Sequence, residues 1–275
     1  MTGTGRVATG RIRSLLLLAV LPAVLMSGCG GDDASNDASS TDAPPVDPGA
    51  VGEVTVSAAA SLTDVFEQIG DAFVMANPDA EVTFNFGSSG QISTQIVEGA
   101  PADVAAFADT APMDALDDAD VLAVPPEIFA TNELALVTPP SNPAGMRSLA
   151  DLPGAGIVSL CVETAPCGKF AAQLLSVARV TLDEAAVSRG QDVRSTLTAV
   201  TEGDADAAIV YVTDAVGAGD AVEVVTVPEA ADVVATYPIA ALAAAAAPEV
   251  ARAFVDFVLG EEGQRLLSEA GFGPP

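Results

Sequence analysis

Apolar and polar residues alternate along Val54-Thr55-Val56-Ser57, a period of two that predicts a strand. The period changes at Ser61, after which Leu62, Val65, Phe66, Ile69 and Phe73 recur at helical spacing. Ser61 followed by Asp64 has the form of a helix start, so a helix capped by Ser61 is expected. A strand end feeding a helix N-terminus gathers unpaired N–H groups and the positive end of a helix dipole, which suits an anion. Taken alone, the stretch reads as the first βα turn of an α/β domain.

The change of period recurs. Val82, Phe84 and Phe86 mark a strand over 81–86, followed by Gly87-Ser-Ser-Gly90 and a helix with Ile92, Ile96 and Val97 as its apolar positions. A short strand runs through Phe107, and a short helix is expected from Thr110 to Ala119. Strands are expected over 133–137 and 156–161, the second leading through Ala165-Pro-Cys-Gly168 into a helix from Lys169. Lys169 in a first turn is unfavourable for the dipole, so it is either a surface residue or a charge placed to help an anion. Asp192 is expected to cap a helix with Leu197 and Val200 inward, and a strand over 205–211 ends on Tyr211-Val-Thr-Asp214. Further strands at 222–227 and 233–237 precede helices over 248–259 and 261–270. Alternating strands and helices predict an α/β protein with largely parallel sheets, whose ligands lie beyond the carboxyl ends of strands. Five such junctions carry Ser, Tyr or a bare amide, which fits a binding cleft better than packing alone.

Composition narrows the chemistry. There is no histidine, which removes Ser-His and Cys-His catalysis and the common zinc sites. Acids are plentiful, but no carboxylate pair stands out, so an enzyme is the weaker reading. The formal net charge of −28 argues against nucleic acid and anionic membrane surfaces. It also repels an anionic ligand at long range, so an anion must be held by local donors.

Arg6, Arg11 and Arg13 precede an apolar run over 15–26, the pattern of a signal peptide, here residues 1–28. Met26-Ser-Gly-Cys29 resembles a bacterial lipobox, with Cys29 the lipidated first mature residue, although the usual Leu falls one place early at Leu25. Residues 29–50, rich in Asp, Ser, Ala and Pro, are expected to form a disordered tether. Membrane contact is expected only through that lipid, with the domain at the outer face of the cell membrane. With Cys29 so assigned, Cys161 and Cys167 remain as a pair in an oxidising compartment, where a disulfide is expected.

Six motifs then carry a family likeness: Ala58-Ala-Ala-Ser61-Leu-Thr, Phe86-Gly-Ser-Ser89, Gly99-Ala-Pro-Ala-Asp103, Asp192-Val-Arg194, Ile209-Val-Tyr211-Val-Thr-Asp214 and Gly271-Phe272. In this order, from Val54 to Phe272, the chain resembles the periplasmic molybdate-binding proteins of ABC importers, of the type II periplasmic-binding-protein family. The resemblance implies two lobes, each a mainly parallel sheet flanked by helices, with the ligand in the cleft between them. Lobe 1 would hold residues 51–131 and 237–275, and lobe 2 residues 132–236. It implies ligand contacts from the Ser61, Ser89 and Tyr211 hydroxyls and the backbone amides of Cys167 and Val193. Cys167 departs from the small residue the family commonly has after a proline, a change that an amide contact tolerates. It further implies a monomer, no cofactor, molybdate or tungstate as ligand with molybdenum bound only as the oxyanion, and a membrane permease as partner.

The chemistry agrees with the residues. Molybdate near neutral pH carries no proton and only accepts hydrogen bonds, so a site of hydroxyls and helix-terminal amides suits it. Phosphate keeps a proton and needs an acceptor; Asp64 and Asp192 are better explained as helix-capping acids. Sulfate is also a proton-free dianion, separated from molybdate only by cavity size. Sulfate, or a metal chelate, therefore stands as the alternative ligand of the same fold.

Overall fold

The computed structural model describes residues 49–275. The expected signal peptide, Cys29 and all but the end of the tether lie outside the described residues. The chain runs β1 (Gly52–Ala59), α1 (Thr63–Ala76), β2 (Ala80–Gly87), α2 (Ser89–Val97), β3 (Val104–Ala106), α3 (Thr110–Asp118) and β4 (Glu127–Thr138). It continues through β5 (Val158–Cys161), α4 (Pro166–Val177), β6 (Val187–Gly190), α5 (Val193–Thr201), β7 (Ala207–Tyr211) and α6 (Val212–Ala218). It closes with β8 (Glu223–Val225), β9 (Val234–Ala241), α7 (Pro248–Leu259) and α8 (Glu261–Glu269).

The strands that feed α1 to α6 are parallel to their neighbours within two sets. β1 lies between β2 and β3, and β5 lies between β6 and β7, all parallel. β4 and β9 are antiparallel additions that join these two sets. Glu127 to Glu133 of β4 pairs with β9, whereas Leu134 to Thr138 pairs with β7 and β8. One long strand thus serves both sets, and the expected boundary between Thr131 and Asn132 falls inside it. The expectation of a strand beginning at Glu133 captured only its second half.

The C-terminal segment returns to the first set of strands because its apolar face belongs there. Val250, Ala251, Phe254 and Val258 of α7 are buried. Phe254 meets Phe66 and Phe73 of α1 edge-on, with ring centroids 6.1 and 5.4 Å apart, the favoured geometry for aromatic pairs. Asp103, in the turn before β3, is nearly buried; its carboxylate accepts the Thr55 and Ala246 N–H groups, both at 2.7 Å. That motif residue ties β1 to the chain entering α7.

Local expectations failed in two informative places. Ser61 caps nothing: it sits in a single 3₁₀ turn over Ala60–Leu62, and α1 begins at Thr63 with Leu62 as N-cap. β6 was not anticipated, because Val187-Ser-Arg-Gly190 is half-buried throughout and has no apolar alternation.

Candidate functional site

The carboxyl ends of β1, β2, β5, β6 and β7 converge on one small cavity, of about 10 Å³. That is far below the usual range for organic ligands, roughly 300–1,000 Å³, and leaves room for no more than a single small ion. Ser61, Ser89, Cys167, Val193 and Tyr211, all five residues expected to touch a ligand, line it together. Ser88 and Asp192 also line it, with Ala59, Ala108 and Pro166 among the remaining wall residues. These last three are apolar residues that no chemical motif distinguishes.

Each position follows from its element. Ser89 is the first residue of α2, Cys167 the second of α4 after Pro166, and Val193 the first of α5. Amides in a first helical turn have no intrahelical acceptor and carry the positive end of the dipole. Asp192 caps α5 as expected: its Oδ1 accepts the Ser195 N–H at 2.8 Å, so this acid is engaged with its own helix.

The hydroxyls are arranged as donors. Ser89 Oγ accepts the Ala108 N–H at 3.1 Å, which leaves its own proton free. Ser61 Oγ lies 3.0 Å from the Tyr237 hydroxyl. Tyr211 is 1% exposed, and its hydroxyl has no hydrogen-bond partner in the protein. Tyr237 packs against it with ring centroids 6.0 Å apart, yet no hydrogen bond joins the two phenols. Burial pushes the Tyr211 phenol well above the ordinary tyrosine range, so it stays protonated and remains a donor. A buried, unpaired hydroxyl is costly unless something outside the chain satisfies it.

Lys169 does not face the cavity as a free charge. Its Nζ is 2.6 Å from the buried Asp109 carboxylate and 5.3 Å from the Phe170 ring centroid. Asp64, expected as a capping acid, instead pairs with Arg194 of α5. Gln91 donates to Gln191 at 3.1 Å. Each of these six residues lies within three positions of a cavity-lining one, so the three contacts close the chain around the cavity from both sets of strands.

Cys161 and Cys167 form a disulfide. It ties the end of β5 to the first turn of α4 and so restrains the Cys167 amide. Closing so short a loop contributes about 2 kcal/mol in the chain-entropy model. Reduction, or the pair Cys161→Ser and Cys167→Ser, should lower the unfolding free energy by about that amount in a denaturant titration. An unchanged midpoint would show that the bond is not formed in solution.

Asp214 is the second buried acid near the site, beside Asp109, and its role is structural. Its carboxylate accepts the Tyr211 N–H at 3.3 Å and so holds the turn that presents the phenol. Burial raises its pKa to about 7; Arg194 and the Tyr211 N–H oppose the shift, and Asp64 and Asp192 add to it. A carboxyl raised above its unfolded value binds more protons in the native state, so its favourable contribution is complete below about pH 4 and is lost as pH rises through about 7. Asp214→Asn should therefore change stability little at pH 4 and raise it by roughly 1–3 kcal/mol at pH 8. Melting curves across that window check this, and a pH-independent difference would contradict it.

Among the described residues no His, Cys, Asp or Glu cluster could hold a metal ion. The arrangement is a small pocket between two sets of strands, lined largely by donors, the architecture of a binding protein with a cleft. The family profile described as "Bacterial extracellular solute-binding protein" matches residues 54–273, and the chain belongs to that family. The "Molybdate-binding protein ModA" of Mycobacterium tuberculosis H37Rv is 40% identical over 262 residues, covering 94% of this chain and 97% of the relative. Among solved structures, the sulfate-binding protein SubI of Mycobacterium tuberculosis superposes with a TM-score of 0.71 at 22% identity, covering 81% of this chain and 87% of its own. The periplasmic molybdate-binding protein of Azotobacter vinelandii gives 0.70 at 20% identity, covering 81% and 99%. The two structures share the type II periplasmic-binding fold with this chain. The protein is an extracytoplasmic solute-binding protein and not an enzyme.

Proposed function

We propose that this protein captures molybdate, or tungstate, outside the cytoplasmic membrane and delivers it to the permease of an ABC importer. The observation that carries the reading is the Tyr211 hydroxyl, buried and without a partner on the wall of a small cavity. An oxyanion lacking protons satisfies that hydroxyl and those of Ser61 and Ser89, while the amides of Cys167 and Val193 supply the rest of the shell. The 40% identity to a molybdate-binding relative over nearly the whole chain supports the choice of anion. Residues 51–131 with 237–275 form lobe 1, residues 132–236 form lobe 2, and β4 and β9 connect them. Cys29 carries the lipid that keeps the domain near its permease. The lobes close on the ion, and the permease reads the closed form.

Thermal denaturation with single anions tests the ligand. An anion at about a hundred times its Kd stabilises the fold by about 2.7 kcal/mol, a rise of roughly 5–10 °C. Molybdate and tungstate are expected to give that rise and phosphate none. A rise with sulfate alone would keep the fold and overturn the ligand.

A further inference from the structure

Tyr237 was expected only as the end of a strand, and the oxyanion reading assigns it no role. It is fully buried in β9, packed edge-on against Phe129 and Phe272, and its hydroxyl reaches Ser61. What matters is the direction of that hydrogen bond. If Ser61 donated to Tyr237, its only proton would be consumed and it would offer an oxyanion nothing but lone pairs. If Tyr237 donates, Ser61 keeps its proton for the cavity.

The surroundings decide the direction. The Glu133 backbone N–H can only donate, and it points at Asn132 Oδ1 at 3.0 Å. That fixes the amide of Asn132, so its Nδ2 faces the Thr213 hydroxyl at 2.8 Å and the Tyr237 hydroxyl at 3.4 Å. The Tyr237 oxygen therefore accepts from Asn132. Its one proton then has Ser61 Oγ as the remaining acceptor. Burial pushes the Tyr237 phenol well above the ordinary tyrosine range, so that proton is present at any physiological pH.

We propose that Tyr237, oriented by Asn132, is a positioning residue that keeps the Ser61 hydroxyl proton directed at the bound oxyanion. The order of donation is Glu133 amide to Asn132, Asn132 to Tyr237, Tyr237 to Ser61, and Ser61 to the ligand. Each link is buried or half-buried and made of side chains with one way to satisfy the next. The inference rests on the oxyanion site proposed above.

The test is a double-mutant cycle on the full chain, titrated with molybdate. Tyr237→Phe keeps the ring and is expected to weaken binding by about tenfold, and Ser61→Ala by about tenfold or more. Because Tyr237 acts through Ser61, the double variant should bind no more weakly than Ser61→Ala alone. A packing defect at Tyr237 would instead make the losses multiply. Asn132→Asp gives an independent reading, because its carboxylate draws the Tyr237 proton away and makes Ser61 the donor in that pair. It should bind more weakly than Tyr237→Phe, and adding Tyr237→Phe to it should restore part of the affinity. Multiplying losses in the cycle, or no recovery in the Asn132→Asp background, would overturn the role of Tyr237 while leaving the site intact. Failure of the unsubstituted chain to bind molybdate would overturn the site reading and this inference with it.

Discussion

Removing the Tyr211 hydroxyl and the Ser89 hydroxyl together is expected to lower the affinity for molybdate at least about a hundredfold, because a hydrogen bond to a charged group is worth about 1.5–3 kcal/mol. The two substitutions differ in what they do to the protein itself. The Tyr211 hydroxyl is buried and unpaired, so Tyr211→Phe removes an unsatisfied group and should leave the melting temperature unchanged or raise it. Ser89 Oγ accepts the Ala108 N–H, so Ser89→Ala strands that amide and should destabilise by about 1–2 kcal/mol. Tyr211→Phe alone thus separates binding from folding: affinity falls while stability does not. Calorimetric titration paired with a melting curve reads both. Unchanged affinity in the double variant would remove these residues from the site.

Gly168→Ala is expected to damage stability and binding together. Gly168 follows Cys167 in the first turn of α4, and a Cβ there would overlap the Val162 carbonyl oxygen and stand 2.6 Å from its carbon and 2.9 Å from the Cys161 carbonyl oxygen. These are backbone atoms, and the Cys161–Cys167 disulfide ties the same loop at both ends, so the strain has no short route to relax. Overpacking of this kind costs about 1–3 kcal/mol. The Cys167 amide must shift with the helix start, and an affinity loss of more than about tenfold follows from misplacing one charge-facing donor. In a Cys161→Ser, Cys167→Ser background the loop can give, so the same glycine change should cost less. Equal costs in both backgrounds would show that the disulfide does not restrain the loop.

What was legible in the chain was local. Strand-to-helix changes of period located the junctions, and the resemblance singled out the residues that line the cavity, because a hydroxyl or an N-cap announces itself within a few positions. Long-range partners were not legible. Ser61 has the spacing of a helix cap, yet its hydroxyl is engaged 176 residues away with Tyr237, and the helix begins beyond it. Asp64 and Lys169 were readable as a capping acid and a surface or anion-facing cation; the fold pairs them with Arg194 and Asp109 instead. β6 was hidden because an edge strand of the second set, half-buried at every position, needs no apolar alternation. The early part of β4 lay just behind Pro125-Pro126, a signal that ends a segment without showing where the next one begins.

On the proposed reading, a small pocket lined mainly by hydroxyl and amide donors selects a proton-free oxyanion of molybdate's size. Calorimetric titration of the chain with molybdate, tungstate, sulfate and phosphate in turn tests it most directly. Tight one-to-one binding of molybdate and tungstate, with no heat of binding from the other two, is the predicted result. Binding of phosphate as tight as that of molybdate would contradict it, because the one carboxylate on the cavity wall, Asp192, is engaged with its own helix and the rest of the shell is arranged to donate.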